Sequence, residues 1–176
     1  MIEEANKAVV AYLEKWQALV ADCNNQEFFM QLKPVAIGWK VADRAEYDRL
    51  FAELHDHCDI IVDKWMNERW IAKFHLRDSK LAGGITIIKL MQRRPGSSDA
   101  LGLDHLDFYS PAVAGAEAIL ANEPSLKWTK EANDTVAGYE WLSLWFAGTE
   151  AKLKDSTVID VVITELEEVG QQITQL

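Results

Sequence analysis

Val35-Ala36-Ile37-Gly38-Trp39-Lys40-Val41 alternates bulky apolar side chains with small or polar ones, and Asp43-Arg44-Ala45-Glu46 follows it with both ends of a capping box. The alternation predicts a strand opened by Pro34. The box predicts a helix over 44–57, with Asp43 as N-cap and Tyr47, Leu50, Phe51 and Leu54 on one face. Three more strand-like runs follow at 59–65, 70–76 and 84–91, broken at Asn67-Glu68 and Asp78-Ser79. The same order then returns. Leu103-Asp104-His105-Leu106-Asp107-Phe108-Tyr109 leads into Ser110-Pro111, an N-cap with proline at the first helical position, and a helix over 111–121. Strands are expected at 126–131, 138–146 and 157–163. A repeated βαβββ unit over 35–92 and 103–169 therefore decides the fold class: α/β (α+β), two repeats forming a curved, cup-shaped mixed sheet.

Outward from the repeats lie helical additions. Residues 2–22 place Val9, Tyr12, Leu13, Trp16, Leu19 and Val20 at helical spacing, so this amphipathic helix must dock, and 27–32 form a short connector. Residues 165–173 are expected to close the chain as a helix whose acidic start suits the helix dipole. The division is an N-terminal extension 1–32, a first unit 33–93, a linker 94–102 around Arg94-Pro95-Gly96-Ser97-Ser98-Asp99, and a second unit 103–176 with its closing helix.

Charge narrows the partners. The 176 residues carry a net charge of −10, which argues against nucleic acid and against an anionic membrane surface, since both need a basic patch. Neither a signal peptide nor an apolar run long enough to span a bilayer is read from the sequence, and Cys23 and Cys58 have no framework or metal spacing. A cytoplasmic protein with reduced thiols, monomeric or homodimeric, is expected.

Alternation also sorts the strand faces. Val35, Ile37, Trp39 and Val41 are expected under the helices with Leu106 and Phe108, leaving Ala36, Gly38, Lys40, His105, Asp107 and Tyr109 opposite. The same face takes His75, Lys89, Trp141, Trp145 and, if 157–163 is the last strand, Asp160. A face with two tryptophans and several charges reads as a concave, partly enclosed site. His55 and His57, two apart on a helix, do not converge, and neither a phosphate-cradling glycine loop nor a nucleophile elbow is present. No catalytic residue is assigned.

These features, with Arg69-Trp70-Ile71-Ala72-Lys73-Phe74-His75-Leu76 and Ile87-Ile88-Lys89-Leu90, resemble the vicinal oxygen chelate superfamily of glyoxalase- and bleomycin-resistance-like proteins, and within it the YecM-like proteins of unknown function. The resemblance implies a metal site with ligands on the first and last strand of each unit. Carried over by position, the four places are Ala36, Lys89, His105 and Asp160, of which only His105 and Asp160 ligate. No cofactor is therefore expected, and a divalent metal on His105 and Asp160 is the fallback. Instead, a Lys89–Asp160 ion pair is expected where a metal would sit. The leading expectation is a binding protein for a small polar or anionic molecule, contacted by His105, Lys89, Asp160, Tyr109, Trp141, Trp145, Asp107, His75 and Lys40. The alternatives are a metal-dependent lyase, isomerase or dioxygenase, and a protein-interaction module with a vestigial cup; whether the chain is an enzyme stays open at this point.

Overall fold

The computed structural model describes residues 1–66, 68–132 and 140–155. Its helices are α1 (Ile2–Ala21), α2 (Gln26–Met30), α3 (Arg44–His55) and α4 (Ala116–Leu120). Its strands are β1 (Lys33–Val41), β2 (Cys58–Met66), β3 (Arg69–Leu76), β4 (Ile87–Gln92), β5 (Gly102–Tyr109), β6 (Lys127–Ala132), β7 (Glu140–Phe146) and β8 (Thr149–Lys154). They form one curved, open mixed sheet in the order β2-β3-β4-β1-β5-β8-β7-β6. Each half contains one parallel pair, β1 with β4 and β5 with β8, and the halves join where β1 runs antiparallel to β5. The two-repeat architecture expected from the sequence is the architecture observed.

Helices cover one face. The capping box opens α3: the Asp43 carboxylate accepts from the Glu46 N–H at 2.9 Å, and Glu46 reaches back to the Ala42 N–H at 2.8 Å. Phe51 of α3 then packs edge-on to Phe74 of β3 at 5.1 Å. The second unit's own helix, α4, is five residues long, and α1 covers the outer face of that half. Trp16 stacks on Phe108 at 4.3 Å, Tyr12 meets Phe146 edge-on at 5.3 Å, and the Tyr12 hydroxyl donates to the Glu150 carbonyl at 2.8 Å. A buried carboxylate clasps the α1–α2 corner to the loop after α4: Glu123 accepts from the N–H groups of Asn24 and Asn25 at 2.9 and 2.7 Å. Burial favours its neutral form, but these donors prevail and hold its pKa below the ordinary value.

Four local expectations need correction. The helix expected over 111–121 breaks into a 3-10 turn, Pro111–Val113, and α4, because Gly115 sits between them at φ +88°. The strand expected from 84 begins at Ile87, behind a 3-10 turn at Ala82–Gly84. Val35 packs with Ala36 and Ile87 on the cup side, not under the helices, because a bulge between Pro34 and Ala36 shifts its register. The strand beside β5 is Thr149–Lys154, not 157–163. Ala147 and Gly148, at φ +45° and +77°, form a two-residue turn that returns the chain at once from β7 to β8. Residues 157–163 and the closing helix lie outside the described residues.

Candidate functional site

Strand register carries side chains straight across the helix-free face in rows. One row runs Lys73, Lys89, Gly38, His105, Glu150 and Trp145. The next runs His75, Ile87, Ala36, Asp107, Lys152 and Ser143. Gly38 is the decisive member of the first. With no side chain on the central strand, the His105 ring lies flat over it, and a Cβ at position 38 would stand 2.5–2.8 Å from three imidazole atoms. Lys89 crosses the same gap from the other side, and its Nζ donates to His105 Nε2 at 2.9 Å.

A second bulge, between Gly38 and Trp39, leaves Asp104 unpaired opposite β1. Asp104 Oδ2 accepts from His105 Nδ1 at 2.9 Å, while its Oδ1 pairs with Lys40 at 2.7 Å. An ammonium only donates, so Lys89 fixes Nε2 as the acceptor and puts the imidazole proton on Nδ1. Asp107 lies beneath, fully buried, with Oδ2 on Lys89 and Oδ1 2.9 Å from Lys154. Glu150 accepts from Ser143 Oγ at 2.7 Å, and that hydroxyl accepts from Trp141 Nε1 at 3.2 Å.

Burial sets the charge states. It pushes His105 down to about 3, helped by Lys89 and Lys152, so the ring is neutral at pH 7. It pushes Lys89 down to about 7 against the opposing pull of Asp107. Burial raises Asp107 and Asp104, but the surrounding lysines and His105 outweigh it, and both carboxyls stay far below the ordinary range.

Of the residues expected at the site, His105, Lys89 and Asp107 meet at its centre, and Lys40 joins them through Asp104. Tyr109 pairs in register with Lys154. Trp141 and Trp145 are half-buried, with Lys152 and Lys154 at 5.3 and 5.9 Å from the first ring and Lys127 at 5.7 Å from the second. His75 shares a row with Asp107 but stands three strands away, roughly 14 Å at ordinary strand spacing, and does not join the centre. Asp160, and with it the expected Lys89–Asp160 pair, lies outside the described residues; among the described residues Lys89 pairs with Asp107. If His105 is matched to Ala36, register sets Glu150 over Ile87 and Lys152 over Lys89. The sequence reading missed Asp104, Ser143, Glu150, Lys152 and Lys154. The alternating run Thr149-Glu150-Ala151-Lys152-Leu153-Lys154 after Ala147-Gly148 was the available signal.

Asp104, His105 and Glu150 bring donor atoms within 4.8 Å of one another, the spacing a metal ion would need. As arranged, however, these groups do not fit the metal that the superfamily resemblance implies. Both His105 nitrogens are engaged, and the lone pair on Nε2 is taken by an ammonium that would repel a divalent cation.

Gly38→Ala should cost about 1–3 kcal/mol, the range for overpacking, and should expel the His105 ring from its place over β1. Denaturant unfolding and the imidazole NMR signals of the variant check this; wild-type stability with unshifted signals would refute it. Acid should destabilise the protein. Between about 3, the folded value of His105, and its ordinary 6.5, the unfolded chain binds the extra proton, so stability rises with pH across that window. The slope at mid-window approaches about 1.4 kcal/mol per pH unit for one proton. Unfolding free energies measured from pH 7 downward test it, and His105→Gln should flatten the curve.

No family model matches the chain, and no curated protein matches it. Solved structures do. A structural-genomics protein designated EC4020 aligns with a TM-score of 0.66 at 16% identity, over 93% of this chain and 94% of its own. Methylmalonyl-CoA epimerase from Mycobacterium tuberculosis aligns with a TM-score of 0.50 at 13% identity, over 71% of this chain and 88% of its own. At such identities the likeness is one of fold. It is the vicinal oxygen chelate fold, a cup of paired βαβββ units, that the sequence resemblance implied. Among the described residues no helix is long and apolar enough to cross a membrane.

Proposed function

We propose that the chain binds a small polar or anionic organic molecule in its cup, using lysine ammonium groups rather than a resident metal. The observation that carries this reading is Lys89 on His105 Nε2, a built-in cation at the centre of the floor. Its surroundings agree. Among the described residues the floor carries Lys40, Lys73, Lys89, Lys152 and Lys154 against Asp104, Asp107, Glu150 and the Asp99 carboxylate on Lys40, in a protein of net charge −10. Positive charge gathered in a concavity of an acidic protein raises the local concentration of anions. Trp141, Trp145 and Tyr109 add half-buried aromatic surface for an organic body.

Titration with small carboxylates and inorganic phosphate, followed by tryptophan fluorescence and thermal shift, tests the reading. A saturable response to at least one anion, weakened by added salt, is the expected result. Silence across the panel would leave a protein-interaction module. One tightly held divalent metal per chain in protein purified without chelator would replace this reading by that of a metal-dependent enzyme.

A further inference from the structure

We propose that β2 is a self-complementary edge, joining two copies of this chain by antiparallel β2–β2 pairing about a two-fold axis between Ile61 and Val62. β2 ends the sheet and, among the described residues, pairs only with β3, so its outer row of backbone N–H and C=O groups faces away from the molecule. Large apolar side chains are exposed on it, Ile60 at 39% and Trp65 at 56%. The opposite edge, β6, exposes none of that kind among its described residues and carries Lys127, Lys130 and Glu131. One end of the sheet is thus guarded by charge, and the other offers apolar surface.

The order of side chains along β2 selects the partner. Pairing with β3 sets Cys58, Ile60, Asp63 and Trp65 on the helix side, and Asp59, Val62 and Lys64 on the cup side. A bulge at Ile61 inserts one residue, so Ile61 also faces the cup, where it and Val62 pack with Ala36 and Ile87. Residues that face each other across antiparallel strands lie on the same side of the sheet. A regular strand paired with its own copy must therefore set one residue against itself. The inserted residue lifts that requirement and moves the axis between Ile61 and Val62.

In that register every facing pair keeps to one side: Ile61 with Val62, Ile60 with Asp63, Asp59 with Lys64 and Cys58 with Trp65, each occurring twice. Opposite charges meet at both Asp59–Lys64 pairs. Asp59 already holds Arg77 Nε through Oδ1 at 2.8 Å, and Oδ2 is the oxygen for Lys64 of the second copy. Trp65 reaches diagonally to Ile60 of the second copy, so the two exposed apolar side chains of this edge cover each other. The joined sheet opens both cups on the same face.

Sedimentation of the full chain from about 1 μM to about 1 mM tests this, and a monomer–dimer equilibrium is the expected result. Lys64→Asp and Asp59→Lys each set like charges opposite one another, and each should weaken dimerisation by at least about tenfold. Mixed in equal amounts, the two variants should associate as the unaltered chain does, because both facing pairs are then of opposite charge. The double variant, which exchanges the two charges within one chain, should dimerise alone. Circular dichroism checks that each variant is folded. A monomer at every concentration overturns the proposal. So do single reversals that leave the dimer intact, and folded variants that stay apart on mixing.

Discussion

Replacing Asp107 by alanine is expected to cost about 3–5 kcal/mol, the range for removing one partner of a buried ion pair. The carboxylate is fully buried and answers two ammonium groups, Lys89 on one oxygen and Lys154 on the other. Truncation leaves both cations deep in the sheet beside a smaller side chain. Asp107→Asn preserves shape and isolates the charge, so most of the loss should persist in it. Urea denaturation of the two variants measures the effect, and a loss below about 1 kcal/mol in both would show that Asp107 does not hold the centre of the floor together.

Phe108→Ala is expected to be equally severe, at about 3–5 kcal/mol, as for other large buried aromatics. Phe108 is the next residue along β5 and points to the opposite face, where it is 1% exposed and stacks on Trp16 of α1. Its loss opens a void between the sheet and α1, the long helix over that half among the described residues. Trp141→Ala should cost less, because that ring is half-buried on the cup side. Equal losses at Phe108 and Trp141 would place Trp141 in the core and remove it from the ligand site.

These two predictions also mark what was legible in the sequence. Alternation assigned Ile37, Trp39, Leu106 and Phe108 to the helix side and His105, Asp107 and Lys89 to the cup, and the structure agrees, because side-chain period in a strand is fixed by the pleat. What alternation does not encode is an inserted residue. The bulges beside Val35 and Asp104 each shift one side chain, and nothing local in Pro34-Val35-Ala36 or Leu103-Asp104-His105 announces them. The fourth strand of the second unit was misplaced for a different reason. The first unit separates β3 from β4 by a loop with a 3-10 turn, whereas the second joins β7 to β8 through Ala147 and Gly148 alone. Reading one copy by the spacing of the other moved the strand past its true position and put Asp160 where the structure places Lys152. The meeting of Lys89 and His105 was not legible either, since it depends on which residues of β4 and β5 face each other across Gly38.

The substitution of α1 for a full-length second helix bears on how the molecule is made. On a ribosome, the residues that roof the second half emerge before the strands they roof. Trp16 is synthesised more than ninety residues before Phe108. Until β5, β7 and β8 exist, Tyr12 and Trp16 of α1 lack the rings of Phe108 and Phe146, and a nascent chain halted in the linker presents that part of the stripe to chaperones. The repeat therefore does not mark a place to cut: a fragment beginning at residue 94 would lack its roof, and one ending there would keep the contacts of α1 with Ala82 and Glu53 but leave Trp16 and Tyr12 without Phe108 and Phe146.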